Sequence, residues 1–172
     1  MSTTIIRFAL ASCLATAAAL AASTAMAEEA RIPVLVPITG FLSLEGTSQR
    51  NGALLALENP PAGVEVSYEV SDTATSPEQA VTALERALAP GGATAAVGSI
   101  FGTQMLAMLP IAAEYGVPML TISGTAKLTE MGNDYVFRFF PTDAVVKVAQ
   151  ARYAVEELGR TRAAIVYQTT AY

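Results

Sequence analysis

From Arg31 onward the chain alternates short apolar runs with longer stretches of helical periodicity. Ile32 to Pro37 is an aliphatic run that predicts a first strand. A loop from Ile38 to Gly46 leads to a helix predicted from about Thr47 to Glu58, stopped at Asn59-Pro60-Pro61 because proline cannot continue the hydrogen-bond ladder. Val64 to Val70 alternates valine and tyrosine with glutamate and serine, as a strand with one drier face does.

Ser76-Pro77-Glu78-Gln79 has the form of a helix start. Serine caps the third helical N–H, proline suits the first helical position, and glutamine can reach back to close a capping box. The predicted helix buries a stripe of Ala80, Val81, Leu84, Ala87 and Leu88 and ends at Pro90-Gly91-Gly92. Ala93 to Gly98 predicts a third strand. A helix follows from Gly102 to Tyr115, expected to kink at Pro110, and then a fourth strand from Val117 to Ile122. Tyr135 to Phe140 is a fifth extended run. A helix from Thr142 or Asp143 to Leu158, stopped by Gly159, precedes a sixth strand from Arg162 to Tyr167. Strand and helix in alternation predict an α/β fold with a parallel sheet. Such a sheet needs a helix after its last strand, and only five residues remain, so the pattern reads as a chain that breaks off.

The first 27 residues break this rhythm. A short polar start with Arg7 precedes an apolar run from Phe8 to Ala22, and Ala25 and Ala27 form an A-x-A cleavage pattern, so residues 1–27 are read as a secretory signal peptide with the mature chain starting at Glu28. Ser12 and Thr16 interrupt the run, which falls short of the roughly 20 apolar residues of a membrane span. Leu10-Ala11-Ser12-Cys13 also mimics a lipoprotein cleavage box that would lipidate Cys13. The apolar stretch continuing beyond Cys13 favours the A-x-A site.

Composition narrows the chemistry. The 172 residues are 52% hydrophobic and 15% charged, with no histidine, no tryptophan and one cysteine, and the mean hydropathy is +0.43. A Ser-His-Asp triad, a histidine-ligated zinc site and an intrachain disulfide are therefore excluded. No P-loop is present, and no G-x-G-x-x-G follows the first strand. Removing residues 1–27 takes Arg7 from the ten basic residues, leaving nine against fifteen acidic ones and a net charge of −6. An acidic chain with scattered basic residues carries no electrostatic footprint for nucleic acid.

The residues in order resemble the periplasmic solute-binding proteins of ABC transporters of the branched-chain amino acid type. The markers are Val36-Pro37-Ile38-Thr39-Gly40, Gly46, Arg50-Asn51-Gly52-Ala53, Ser71-Asp72 as the turn after the second strand, and Ser76 to Val81. They continue with Val97-Gly98-Ser99, Tyr115-Gly116-Val117-Pro118, Ser123-Gly124-Thr125 and, most specifically, Leu128 to Arg138. The resemblance implies a type I periplasmic-binding-protein fold, in which two Rossmann-like lobes close on a ligand. Residues 28–141 would form the N-terminal ligand-binding lobe, and residues 142–172 the hinge crossover with the first helix and strand of the second. It implies an extracytoplasmic, non-catalytic protein that needs no cofactor, binds an amino acid or similar small polar solute and hands it to membrane permease subunits. The ligand-sensing module of a receptor shares this architecture, and an enzyme on a doubly wound sheet, using Glu45 and Asp143 as carboxylates, is the third reading.

An open parallel sheet binds ligands at the carboxyl ends of its strands, where helix N-termini present unpaired N–H groups. That places Phe101-Gly102-Thr103 and Ser123-Gly124-Thr125 on one edge. A ligand carboxylate would meet the Gly102 and Thr103 N–H groups, with the Thr103, Ser123 and Thr125 hydroxyls as neutral donors, and Phe101 would cover an apolar side chain. By the resemblance, Glu45 takes a pocket position where a carboxylate would face a ligand ammonium, and Tyr172 matches a tyrosine that closes over the ligand from the second lobe. One lobe supplies one wall, so this chain by itself is expected to bind weakly or not at all.

Overall fold

The computed structural model describes residues 28–167 and residue 169, so residues 1–27, which the sequence reads as a signal peptide and which include Cys13, and Tyr172 lie outside the described residues. In chain order the elements are β1 (Glu28–Arg31), β2 (Val34–Val36), α1 (Ser43–Leu57), β3 (Val64–Ser67), β4 (Val70–Asp72), α2 (Pro77–Leu88), β5 (Ala96–Val97), α3 (Gly102–Tyr115), β6 (Met119–Thr121), a 3-10 turn (Ala126–Thr129), β7 (Val136–Arg138) and α4 (Asp143–Arg152), which runs into a π-helical turn (Tyr153–Glu157).

All strand pairs are parallel. Five strands form one sheet in the order β4-β2-β5-β6-β7, and β1 pairs with β3 beside it. The first predicted strand shortens to β2, with β1 an additional strand before it, and the second is split between β3 and β4. Pro33 has no N–H to give, yet Ile32 N donates to Ser67 O and Val34 N to Glu69 O, both at 2.8 Å, so the ladder spans the break. Ser71 and Asp72 belong to β4 and not to a turn after it.

From β2 the chain steps outward to β4, then returns past β2 to lay down β5, β6 and β7. The crevice beyond the carboxyl ends of β2 and β5 is therefore the topological switch point, where doubly wound sheets take ligands.

One face of the sheet is well covered. Leu35, Ala96 and Met119 from the strands pack with Ala80, Ala83, Leu84, Ala87 and Leu88 of α2 and with Met105, Met108, Leu109 and Ala112 of α3. Each large side chain fully buried in this way contributes about 1.5–3 kcal/mol. Ala83 takes the place expected for Val81, which is only partly buried. On the other face α1 lies alone, and its one buried residue is Gly46. A Cβ there would stand 1.9 Å from the Pro37 carbonyl oxygen, so only glycine lets the helix start this close to the end of β2.

The Ser76 cap forms, with Oγ accepting from Gln79 N at 3.3 Å, but the partner differs from the expected box. The Ser76 N–H that the box would give to the Gln79 side chain donates to Thr73 O at 2.9 Å, while Ser76 Oγ donates to Glu78 Oε2 at 2.6 Å. Helix α3 has the predicted bounds and runs unbroken through Pro110, whose ring is exposed, to Gly116 in the left-handed conformation at φ 67°. Residues Arg162 to Tyr167 do not form the sixth strand. They lie outside any ladder, with Ile165, Val166 and Tyr167 each more than four-fifths exposed, and a strand without a neighbour has no ladder to hold it.

Candidate functional site

Loops from the ends of β2, β5, β6 and β7 surround a cavity of about 670 Å³ at the switch point. The loop after β2 presents Phe41 and is held from two sides. Asp72 Oδ1 accepts from the N–H groups of Ile38 (2.8 Å), Thr39 (3.1 Å) and Ala74 (2.8 Å), and its Oδ2 accepts from the Thr39 hydroxyl. Partial burial raises the Asp72 pKa, but the Thr39 hydroxyl and these N–H groups outweigh it and hold the carboxyl below its ordinary value.

Thr75 supports the same loop from beneath by donating its hydroxyl to Thr39 O at 2.8 Å. It does so from φ 54°, a left-handed conformation costly for a β-branched residue, next to Ala74 at φ 48°. Phe41, two-thirds exposed, meets Phe101 edge to face with ring centroids 5.5 Å apart. Sequence reasoning passed over Phe41, since a lone aromatic in a polar loop carries no periodic signal.

Beneath the cavity a buried polar network fixes the start of α3. The Gln104 side chain is fully buried. Its Oε1 accepts from Ser99 Oγ (2.6 Å) and Thr73 Oγ1 (3.0 Å), and its Nε2 donates to the carbonyls of Thr73 (2.9 Å) and Ser76 (3.0 Å). Ser99 Oγ in turn accepts from Phe101 N at 2.9 Å. Gln49 joins α1 to the same loop, donating to Gly98 O at 2.6 Å and accepting from Ile100 N at 2.8 Å. No side chain caps α3, so its first N–H groups, at Gly102 and Thr103, remain available to an acceptor. The sequence signal for Gln104 is a polar residue beside the apolar stripe of Met105, Met108 and Ala112.

The loop after β6 is equally constrained. Thr121 Oγ1 donates to Ser99 O at 2.8 Å and accepts from Ser123 N at 3.0 Å, while Ser123 Oγ and Thr125 Oγ1 share a hydrogen bond at 3.1 Å. The Arg138 guanidinium donates to Thr125 O and Thr129 Oγ1, both at 2.9 Å, and so anchors this loop to β7.

Among the residues singled out from the sequence, Phe101, Gly102, Ser123 and Gly124 line this cavity together. The Thr125 side chain, hydrogen-bonded to Ser123, and the Thr103 side chain, with its Oγ1 buried and unpartnered, are not part of the wall. Glu45 is elsewhere. It lines an apolar groove of about 940 Å³ between α1 and the less covered face of the sheet, with Val97, Leu120 and Phe139. Glu45 and Asp143 therefore sit on different cavities, and the geometry brings no carboxylate pair together. No group of three or more histidine, cysteine, aspartate or glutamate side chains suited to a metal occurs among the described residues.

The parallel-sheet α/β fold is that of the solute-binding class of proteins. Residues 29–172 match the periplasmic binding protein family, and the chain belongs to it. It is 31% identical over 147 residues to the Leu/Ile/Val-binding protein BraC3 of Rhizobium johnstonii, an alignment that covers 82% of this chain and 40% of that protein. The structure of the leucine binding protein LivK from Thermotoga maritima superposes with a TM-score of 0.70 at 32% identity, covering 76% of this chain and 38% of that one. A solute binding protein of an ABC transporter from Rhodopseudomonas palustris, in complex with 3,4-dihydroxybenzoic acid, shares the fold at a TM-score of 0.69 and 21% identity, covering 75% and 36% of the two chains. These relatives are substrate-binding proteins and not enzymes. The chain spans about 40% of the length of the curated relatives it matches.

Proposed function

We propose that this chain supplies one wall of the ligand site of an extracytoplasmic binding protein, which takes up a small carboxylate-bearing solute, foremost an amino acid, for delivery to ABC transporter permease subunits. The observation that carries this reading is the uncapped N-terminus of α3 opening on the switch-point cavity. A ligand carboxylate fits there against the Gly102 and Thr103 N–H groups without a basic side chain, while Phe41, Phe101 and Phe140 offer apolar cover. The names of the relatives, which bind leucine, isoleucine and valine, support an aliphatic amino acid.

Residues 28–141 form the first lobe in this reading. The chain crosses over at Thr142, which fits α4 burying none of its own residues against the lobe. Residues 1–27 direct export to the periplasm, and Tyr172 belongs to the opposing wall. The test is a titration of the isotope-labelled 172-residue chain with L-leucine, read on its backbone amides. Shifts concentrated on Gly102, Thr103, Ser123 and Gly124 at millimolar ligand are expected. The absence of any localised shift would overturn the assignment.

A further inference from the structure

The loop from Gly98 to Phe101 lies between the switch-point cavity and the apolar groove beside α1, and Ile100 lines both. Its backbone groups are taken up one after another. Gly98 N donates to Leu120 O at 2.8 Å, Ser99 O accepts from Thr121 Oγ1 at 2.8 Å, and Phe101 N donates to Ser99 Oγ at 2.9 Å. Two more groups, Gly98 O and Ile100 N, go to a single side chain carried on α1. Gln49 Nε2 donates to Gly98 O at 2.6 Å, and its Oε1 accepts from Ile100 N at 2.8 Å. These are the two groups that one residue of a neighbouring parallel strand would bond. Past the end of β5, the half-buried Gln49 amide therefore stands in for a strand and holds the chain on either side of Ser99. The uncapped N–H groups of Gly102 and Thr103 follow directly after Phe101. Their direction matters, because hydrogen bonds weaken steeply as donors turn away from the acceptor.

We propose that Gln49 is a positioning residue for ligand binding. It lines the groove and not the cavity, yet its two bonds aim the Gly102 and Thr103 N–H groups at the ligand, so that clamp and ligand stabilise each other. This rests on the reading of the cavity as the ligand site and extends that site to α1. Fastening α1 to the sheet does not by itself require Gln49, since Gly46 already sets the start of the helix against Pro37.

The coupling is reciprocal: a clamp that tightens the hold on a ligand is tightened by that ligand to the same degree. The experiment follows hydrogen exchange of the Gln49 side-chain amide in the isotope-labelled 172-residue chain, with and without L-leucine as the probe. The Asn133 side-chain amide, which donates to Leu109 O at 3.2 Å outside the cavity lining, is the reference. At saturating leucine, exchange at Gln49 is expected to slow about 10-fold relative to Asn133. Gln49→Met, which keeps the volume and loses both bonds, is expected to weaken leucine binding by the same factor of about 10. A side chain that only fastened α1 would lower the urea midpoint in Gln49→Met and leave the leucine affinity of the folded chain unchanged. That result, or exchange at Gln49 indifferent to leucine while the Gly102 and Thr103 amides shift, overturns the proposal and leaves the cavity reading standing. If leucine moves neither Gly102 nor Thr103, the cavity reading fails and the proposal fails with it. The exchange measurement needs no variant, so it decides the matter even where Gln49→Met does not fold.

Discussion

The Asp143 N–H donates to the Gly124 carbonyl at 2.7 Å, and the Asp143 carboxylate lies so close to Gly124 that a Cβ there would stand 2.6 Å from Oδ1. The loop that closes β6 and the first residue of α4 are thus fitted to each other through a position where only a glycine leaves room. Gly124→Ala is expected to turn the carboxylate away from the cavity at a cost of about 1 kcal/mol in stability, the small end of overpacking, since the side chain yields more easily than backbone. Urea unfolding would show the small loss, and amide titration with L-leucine would show weaker binding. A variant with unchanged leucine affinity would mean that the fit of Gly124 against Asp143 does not shape the cavity for leucine.

Gln104 is the hub beneath the site, and its replacement separates shape from hydrogen bonding. Gln104→Met keeps the volume but leaves Thr73 Oγ1 and Ser99 Oγ without their shared acceptor, and the Thr73 and Ser76 carbonyls without their shared donor. With these groups buried, a loss of about 2–4 kcal/mol is expected, measured as a fall in the urea midpoint at constant m-value. A loss below about 0.5 kcal/mol, the level of an ordinary surface change, would show that solvent reaches the network.

What the sequence made legible follows from which forces are local. Helix α3 and the Ser76 cap were readable because 3.6-residue periodicity, a capping serine followed by proline, and a terminal glycine each act within a few residues. The pairing of β1 with β3 was not. Glu28–Arg31 has no apolar alternation, and its ladder with Val64–Ser67 is made by backbone groups that carry no residue signature. Arg162 to Tyr167 failed for the converse reason: β-branched composition predicts a strand, but a ladder needs a neighbour. In the site, Gly102 and Ser123 were found from strand-end logic. Phe41 and Asp143 share the cavity with them only because the order β4-β2-β5-β6-β7 brings four separate loops to one edge.

Gly46 offers the sharpest test of the packing on the α1 side. The hypothetical Cβ meets backbone, at 1.9 Å from the Pro37 oxygen and 2.6 Å from its carbonyl carbon, so no side-chain rotation relieves the overlap. Gly46→Ala is expected to cost at least about 3 kcal/mol or to prevent folding, whereas Gly52→Ala, with nothing within 4 Å of its Cβ, is expected to be neutral or stabilising by up to about 1 kcal/mol. Circular dichroism of the two variants during thermal unfolding checks both, and comparable behaviour would contradict the close approach of α1 to the end of β2.

Asp72 makes the loop that carries Phe41 sensitive to acid. Its carboxyl is held below the ordinary range because the Thr39 hydroxyl and three backbone N–H groups, all of which favour the charged form, outweigh the effect of partial burial. A carboxyl with a lower pKa in the folded state stabilises that state fully above the unfolded value of about 4, and the contribution disappears as pH falls through the folded value. Asp72→Asn keeps an oxygen that can accept from the N–H groups but has no charge to lose. The melting temperature of the unaltered chain should therefore exceed that of Asp72→Asn near neutral pH by only about 2–4 °C, because the group is solvent-exposed and screened. The gap should close as pH drops below 4, with no corresponding change on the alkaline side. A gap that stays constant from neutral pH into acid would show that Asn fails there through its shape or its added donor, and that the Asp72 charge contributes nothing to holding the Thr39–Phe41 loop over the cavity.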